Sequence, residues 1–216
     1  MTITIFKSNS QIAARQIDRL ERLSRQQDSR KIPQNAALVV IDMQIGFDDK
    51  RWGNRNNTGL SRNIETLLKT WRGSNRSIIH IQHCSVESNS VLRSELESWD
   101  FYPSAQPIDG EVVFQKNVNS CFTGTNLETY CAENNIDTLV IMGISTDHCV
   151  STSTRLAANL GFTIYLISDA TCTFDRVDPI TNEVYPAELV HKIHLASLSN
   201  EFAKVLDTKS VLELLE

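Results

Sequence analysis

No stretch of this 216-residue chain is apolar for long enough to cross a bilayer, so no membrane partner is expected. Residues 1–10 also lack the basic-then-apolar layout of a secretory leader, and a cytoplasmic location is the expectation. Positive charge is scarce: 21 Lys and Arg stand against 26 Asp and Glu, for a net charge of -5. A broad phosphate-binding face needs the opposite balance, so nucleic acid is not an expected partner. The five cysteines are odd in number and form no CxxC pair, which argues against a disulfide framework or a zinc knuckle and suits reduced thiols. Also missing are a glycine-rich dinucleotide fingerprint, a P-loop and any internal repeat.

What is present is ordinary globular composition, 41% hydrophobic and 22% charged, in a length that suits one α/β domain. The organising stretch runs from Asp137 to Gly161, DTLVIMGISTDHCVSTSTRLAANLG. Thr138 to Met142 is a β-branched apolar run closed by Gly143, the pattern of a buried strand. The period then changes, and Val150, Thr154, Ala157 and Ala158 recur at helical spacing as far as Gly161. Between the two, Ile144 to Cys149 makes a strand-to-helix turn with a thiol at the start of the helix. Unpaired N–H groups and the helix dipole favour a thiolate there, so a lowered pKa is expected for Cys149. The plain alternative is a small residue filling a packed turn.

The same alternation runs through the rest of the chain. Ala37 to Ile41 is an unbroken apolar run, as in a strand covered on both faces. It ends at Asp42, and functional groups of open α/β sheets gather at the carboxyl ends of strands. Residues 48–59 are polar and glycine-bearing, a loop in which Trp52 can wall a pocket; Leu60 to Trp71 has helical spacing. In the strand from Ser77, His80 and His83 are three apart and face opposite ways. His83, at the carboxyl end, is the pocket candidate, and His80 a packing histidine. Residues 84–109 form a long connection of the kind that shapes a substrate site. A strand from Glu111 ends at Lys116, followed by a polar turn through Asn117, Asn119 and Ser120 and a helix over 125–134. Phe162 to Ile167 is a further strand, 171–186 a loop, 187–200 a helix, 203–206 a last strand and 210–216 a short helix. His191 and His194 on that long helix lack a recognisable third ligand and are read as packed or solvated. The pattern specifies an α/β fold: a three-layer, doubly wound, mostly parallel sheet of about six strands with helices on both faces. Ahead of it, Ser8 and Gln11 offer a helix cap, and Ile12, Ile17, Leu20 and Leu23 a thin apolar stripe. The chain thus divides into an N-terminal helical extension (1–32), packed on its own domain or reaching a neighbouring subunit, and one domain over 33–216.

Three strand ends carry Asp42, Lys116 and Cys149, a carboxylate, a cation and a thiol able together to generate and hold a nucleophile. On the Asp of LVVIDMQ, the Lys of VVFQKNVNSCFTGT and the Cys of MGISTDHCV, residues 37–206 resemble the isochorismatase-like cysteine hydrolase superfamily. The resemblance implies an Asp42–Lys116–Cys149 triad that hydrolyses a C–N bond of a small amide, ureide or carbamoyl compound through a thioester. It implies that Asp42 deprotonates Cys149, that Lys116 orients Asp42, and that backbone N–H groups of Ser145 and Cys149 form the oxyanion hole beside a cis Ile144–Ser145 peptide. A small-molecule substrate, no cofactor and a homo-oligomer, dimer or tetramer, are further implications. Substrate-binding candidates are Gln44, Phe47, Trp52, His83, Phe122, His148 and Phe174. Nicotinamidases of this superfamily carry an Asp-x-His…His metal site after the second strand; here that region has only His83, so no metal is expected. Two alternatives stay open: a vinyl-ether hydrolase of the isochorismatase type, which can dispense with the cysteine, and a non-catalytic binding or thiol redox-sensing module, which needs only one of Asp42 and Lys116.

Overall fold

Alternate side chains of Ala37–Ile41 (β1) leave on opposite faces, and both faces are covered. Leu38 and Val40 join one apolar layer, while Ala37, Val39 and Ile41 join another. The structure, a computed structural model, describes Ala14, Ile17 and residues 31–215. The expected extension over 1–32 lies outside the described residues apart from Ala14 and Ile17, both helical, and its last two positions. Of these, Ile32 is buried in the domain core.

Around β1 stand Ile78–His83 (β2), Val112–Lys116 (β3), Thr138–Ile144 (β4), Thr163–Cys172 (β5) and Lys204–Leu206 (β8). They form one six-stranded sheet in the order β3-β2-β1-β4-β5-β8, and every pairing in it is parallel. One face is covered by Leu60–Gly73 (α1) and Thr208–Glu213 (α5). The first of these buries the stripe Leu60, Ile64, Leu67, Leu68 and Trp71. The other face is covered by Leu127–Glu133 (α2), Ser151–Asn159 (α3) and the end of Ala187–Leu198 (α4). No helix among the described residues is long and apolar enough to cross a membrane.

The strand order places the reversal of winding between β1 and β4. The chain moves outward through β2 and β3, then returns to the opposite side of β1, so a crevice opens at the carboxyl ends of these two strands. Gly143 makes the close approach there possible. Its φ is +127°, and a Cβ would stand 2.0 Å from the carbonyl oxygen of Ile41, so only glycine fits.

Several expected boundaries shift, among them the last helix, which spans Thr208–Glu213 and not 210–216. β5 continues past Ile167 to Cys172, because the register between β4 and β5 slips between Ile141 and Gly143 and lets Thr171 and Cys172 pair with Gly143 and Ile144. The loop expected over 171–186 instead contains the two-stranded antiparallel ribbon Arg176–Val177 (β6) and Val184–Tyr185 (β7). Helix α2 begins two residues later than expected, where the Thr125 hydroxyl accepts the Leu127 N–H and holds the chain in a turn.

Candidate active site

Each site residue leaves the carboxyl edge of the sheet for a local reason. Asp42 follows β1 with φ of 52°, and its N–H still donates to Ile81 O at 2.9 Å. Lys116 is the last residue of β3 and pairs in register with His83, the last of β2. After β4 the Ile144–Ser145 peptide is cis, as expected from the resemblance. A wide helical turn over Thr146–Val150 follows, in which Ser145 O accepts from the N–H groups of His148 and Val150, both at 3.1 Å. Cys149 sits inside that turn, and regular helix starts only at Ser151.

These elements converge on the Lys116 ammonium. It donates to Asp42 Oδ2 at 2.6 Å, to His83 Nδ1 at 3.0 Å and to Cys149 Sγ at 3.4 Å. The side chains of Lys116 and Asp42 have no exposure to solvent. The other carboxylate oxygen, Asp42 Oδ1, is buried with no hydrogen-bond partner among the described residues. The thiol also lies 3.7 Å from Asn119 Oδ1. Ligand-type atoms of Asp42, His83 and Cys149 fall within 4.8 Å of one another, a spacing that would also suit a cation. The Lys116 nitrogen, in contact with all three, supplies that positive charge.

Electrostatics correct one expectation. The Cys149 thiol is pushed up, not down: burial disfavours the thiolate most, the Asp42 charge adds to this, and Lys116 opposes it. The local argument from the helix terminus is outweighed because the wide turn buries the sulfur, with Cys149 only 7% exposed. Burial works against the Lys116 ammonium too, but the Asp42 charge and the hydrogen bonds to Asp42 and Cys149 overcome it and hold the group protonated. Burial, with Lys116 next, lowers the pKa of His83 and keeps the imidazole neutral.

The remaining candidates separate. Gln44 is fully buried and its amide is committed to backbone: Oε1 accepts the His83 N–H at 2.8 Å, and Nε2 donates to His83 O at 3.0 Å and Trp99 O at 2.8 Å. Phe47, Trp52 and Phe174 pack on one another with centroids 5.0 to 6.1 Å apart; of the three, only Trp52 is partly exposed. Phe122 packs against Phe162. His148 points away from the Lys116 cluster, onto a groove of about 570 Å³ shared with Arg176, Tyr185, Leu189 and Ile193. His80 is buried and meets Glu111 at 2.8 Å, as a packing histidine does. His191, also buried, meets the Thr146 hydroxyl at 2.8 Å and so braces the cysteine turn. On the other side of that turn, Asp147 accepts from Thr173 and from Arg176 Nε. Asn119 beside the thiol and Trp99 against His83 O were not singled out from sequence as site residues. Their only signal was a polar turn directly after Lys116 and an aromatic in the long connection.

A parallel sheet flanked by helices, with thiol, carboxylate and ammonium gathered at its switch point, defines the class: a cysteine-bearing hydrolase on a doubly wound sheet. The chain belongs to the isochorismatase family: the model of the isochorismatase domain matches residues 36–210. It is 44% identical over 176 residues to the isochorismatase family protein YrdC of Bacillus subtilis, covering 82% of this chain and 94% of that one. A protein of the isochorismatase family from Chromobacterium violaceum superposes with a TM-score of 0.82 at 36% identity, covering 85% of this chain and 95% of that one. The N-carbamoylsarcosine amidase of an Arthrobacter species is 34% identical over 110 residues, which cover 51% of this chain and 37% of the amidase.

Proposed function

We propose that this chain cleaves a carbon–nitrogen bond of a small amide, ureide or carbamoyl compound through a thioester on Cys149. One observation carries the proposal: the Lys116 ammonium contacts both the Asp42 carboxylate and the Cys149 sulfur, while Asp42 Oδ1 has no hydrogen-bond partner among the described residues. As a substrate carbonyl approaches, the Sγ proton passes to Asp42, the C–S bond forms, and the N–H groups of Ser145 and Cys149 receive the developing oxyanion. Lys116 faces the carboxylate before this transfer and the thiolate after it, so the cluster keeps the same net charge throughout. Collapse of the intermediate expels the amine, which takes the proton from Asp42. Asp42 then removes a proton from the water that cleaves the thioester and returns it to sulfur. A thiol that rests protonated suits this sequence, because it ionises only when base and electrophile are both in place.

Similarity to an amidase supports the choice of bond. No metal enters the scheme, since Lys116 supplies the cation between Asp42, His83 and Cys149. Five free cysteines support a reducing cytoplasm, and the exposed Leu189 and Ile193 of α4 support assembly into a homo-oligomer, which size-exclusion chromatography with light scattering measures directly.

The test is a panel of small amides, ureides and carbamoyl compounds scored for ammonia release, with intact-mass detection of an acyl-enzyme. Turnover is expected to vanish in Cys149→Ser and Asp42→Asn. Hydrolysis of a vinyl ether that survives Cys149→Ser would instead favour the isochorismatase-type reaction.

A further inference from the structure

A buried ammonium has three N–H groups, and each needs an acceptor. For Lys116 two of them are Asp42 Oδ2 and Cys149 Sγ, which the proposed chemistry uses; the third is His83 Nδ1 at 3.0 Å. We infer that His83 is a positioning residue whose Nδ1 serves as the neutral third acceptor of Lys116, fixing the ammonium on the thiol without adding negative charge that would oppose the thiolate. The inference rests on Cys149 being the nucleophile.

The surroundings hold the backbone of His83 in place, and with it the root of the imidazole. The backbone N–H donates to Gln44 Oε1, and the backbone carbonyl accepts from Gln44 Nε2 and Trp99 Nε1, at 2.8, 3.0 and 2.9 Å. Gln44 is itself fully buried, so three hydrogen bonds from β1's exit and the long connection are committed to one residue at the end of β2. Because Lys116 donates to Nδ1, the ring proton of the neutral imidazole resides on Nε2.

Neutrality is the chemical point. An apolar residue at position 83 would leave one N–H of a desolvated ammonium unpaired and free the head to rotate off the sulfur. A carboxylate would satisfy the proton but place a second negative charge beside Cys149, and like charge disfavours ionisation. Only an uncharged acceptor meets both conditions. Charged or titratable groups facing His83 are Lys116, Asp42, the Cys149 thiol and, from the connection after β2, Glu87. Burial and Lys116 together outweigh the two carboxylates, so the ring stays neutral down to a pH below the ordinary imidazole value. Protonated, it has no acceptor to offer and repels the ammonium.

The experiment measures iodoacetamide labelling of Cys149 by peptide mass mapping, from pH 5 to 9, in wild type, His83→Gln, His83→Leu and His83→Glu. Slow labelling of the buried Cys121, Cys131 and Cys172 verifies that each variant is folded. His83→Gln, a neutral acceptor, is expected to label Cys149 within about threefold of wild type at pH 7, half a pK unit. His83→Leu and His83→Glu are each expected to be slower by about tenfold or more, one pK unit. Every profile falls with acid as the thiol itself protonates, and the additional fall of the wild type where His83 takes up a proton is expected to disappear in His83→Gln. Equal losses in Gln and Leu would reduce His83 to a packing residue, and a Glu variant labelled as fast as wild type would overturn the argument from charge. Because the readout is alkylation and not turnover, failure of the amide panel and failure of this inference are separately visible.

Discussion

Burying an ammonium and a carboxylate with no side-chain exposure, as Lys116 and Asp42 are, costs several kcal/mol per ion unless each finds its partner. Their contact at 2.6 Å, with two more acceptors around Lys116, offsets that cost, and removing one member strands the other. Lys116→Met is therefore expected to lower the free energy of unfolding by about 3–5 kcal/mol. Asp42→Asn in the same chain should recover most of that loss, with no return of turnover. Urea unfolding of the two single variants and the double variant checks this; a Lys116→Met protein as stable as wild type would contradict the burial of the pair. At this scale the sequence was informative where residue type and strand position coincide, as for Asp42, Lys116, Cys149 and His83. It offered Gln44 as a substrate-binding candidate without showing that the amide is committed to backbone, because position along a chain does not say where an amide spends its hydrogen bonds. It pointed the wrong way on the Cys149 thiol, since the helix-terminus effect is local while burial of the sulfur is a tertiary property.

At the scale of elements, the site depends on β1 and β4 touching at one glycine. Gly143 lies opposite Ile41 in the register, and Asp42 leaves β1 at the next residue. The Cβ of an alanine there would meet the Ile41 carbonyl oxygen at 2.0 Å and adopt a φ that L-residues avoid. The strands must part, and Asp42 moves with them. Gly143→Ala is expected to cost about 2 kcal/mol or more, in the range of overpacked cores. It should also lower kcat, since a displacement near 1 Å of a reacting group can cost about a hundredfold. Thermal unfolding and turnover measured on the same sample test both halves; a variant with normal kcat would show that the close approach does not position Asp42. The strands and α1 were legible because their apolar runs and stripe follow period 2 and 3.6. The length of β5 was not, because it depends on the register slip against β4, which no local pattern encodes, and the β6–β7 ribbon was not, because its strands of two residues each are too short to show a period.

For the whole molecule, alternation of covered strands with helices was enough to specify a doubly wound sheet, and a doubly wound sheet has its crevice where the winding reverses. What alternation does not specify is the protonation balance of the folded state. Four of the five histidines, His80, His83, His148 and His191, have pKa values lowered in the structure, with burial the largest cause for each. In the unfolded chain the same side chains take up a proton near the ordinary imidazole value. Below that value, then, the unfolded state binds more protons than the folded one, and stability rises with pH. This contribution is complete above the unfolded pKa and is lost as pH falls through the folded values. Each fully displaced histidine supplies a slope of up to about 1.4 kcal/mol per pH unit. His148 counts for little, because its side chain is 54% exposed and screened by solvent. Asp147, held down to about 2 although burial alone would raise it, stays ionised across this window because its hydrogen bonds to Thr173 and Arg176 dominate, and it adds no slope there. Urea unfolding at half-unit steps from pH 5 to 8 is thus expected to show a plateau at and above neutrality and a fall of at least about 1 kcal/mol per unit below pH 6.5. His80→Gln and His191→Gln should each flatten the fall. A midpoint unchanged between pH 7 and pH 5 would mean that these rings are protonated as readily in the fold as in water.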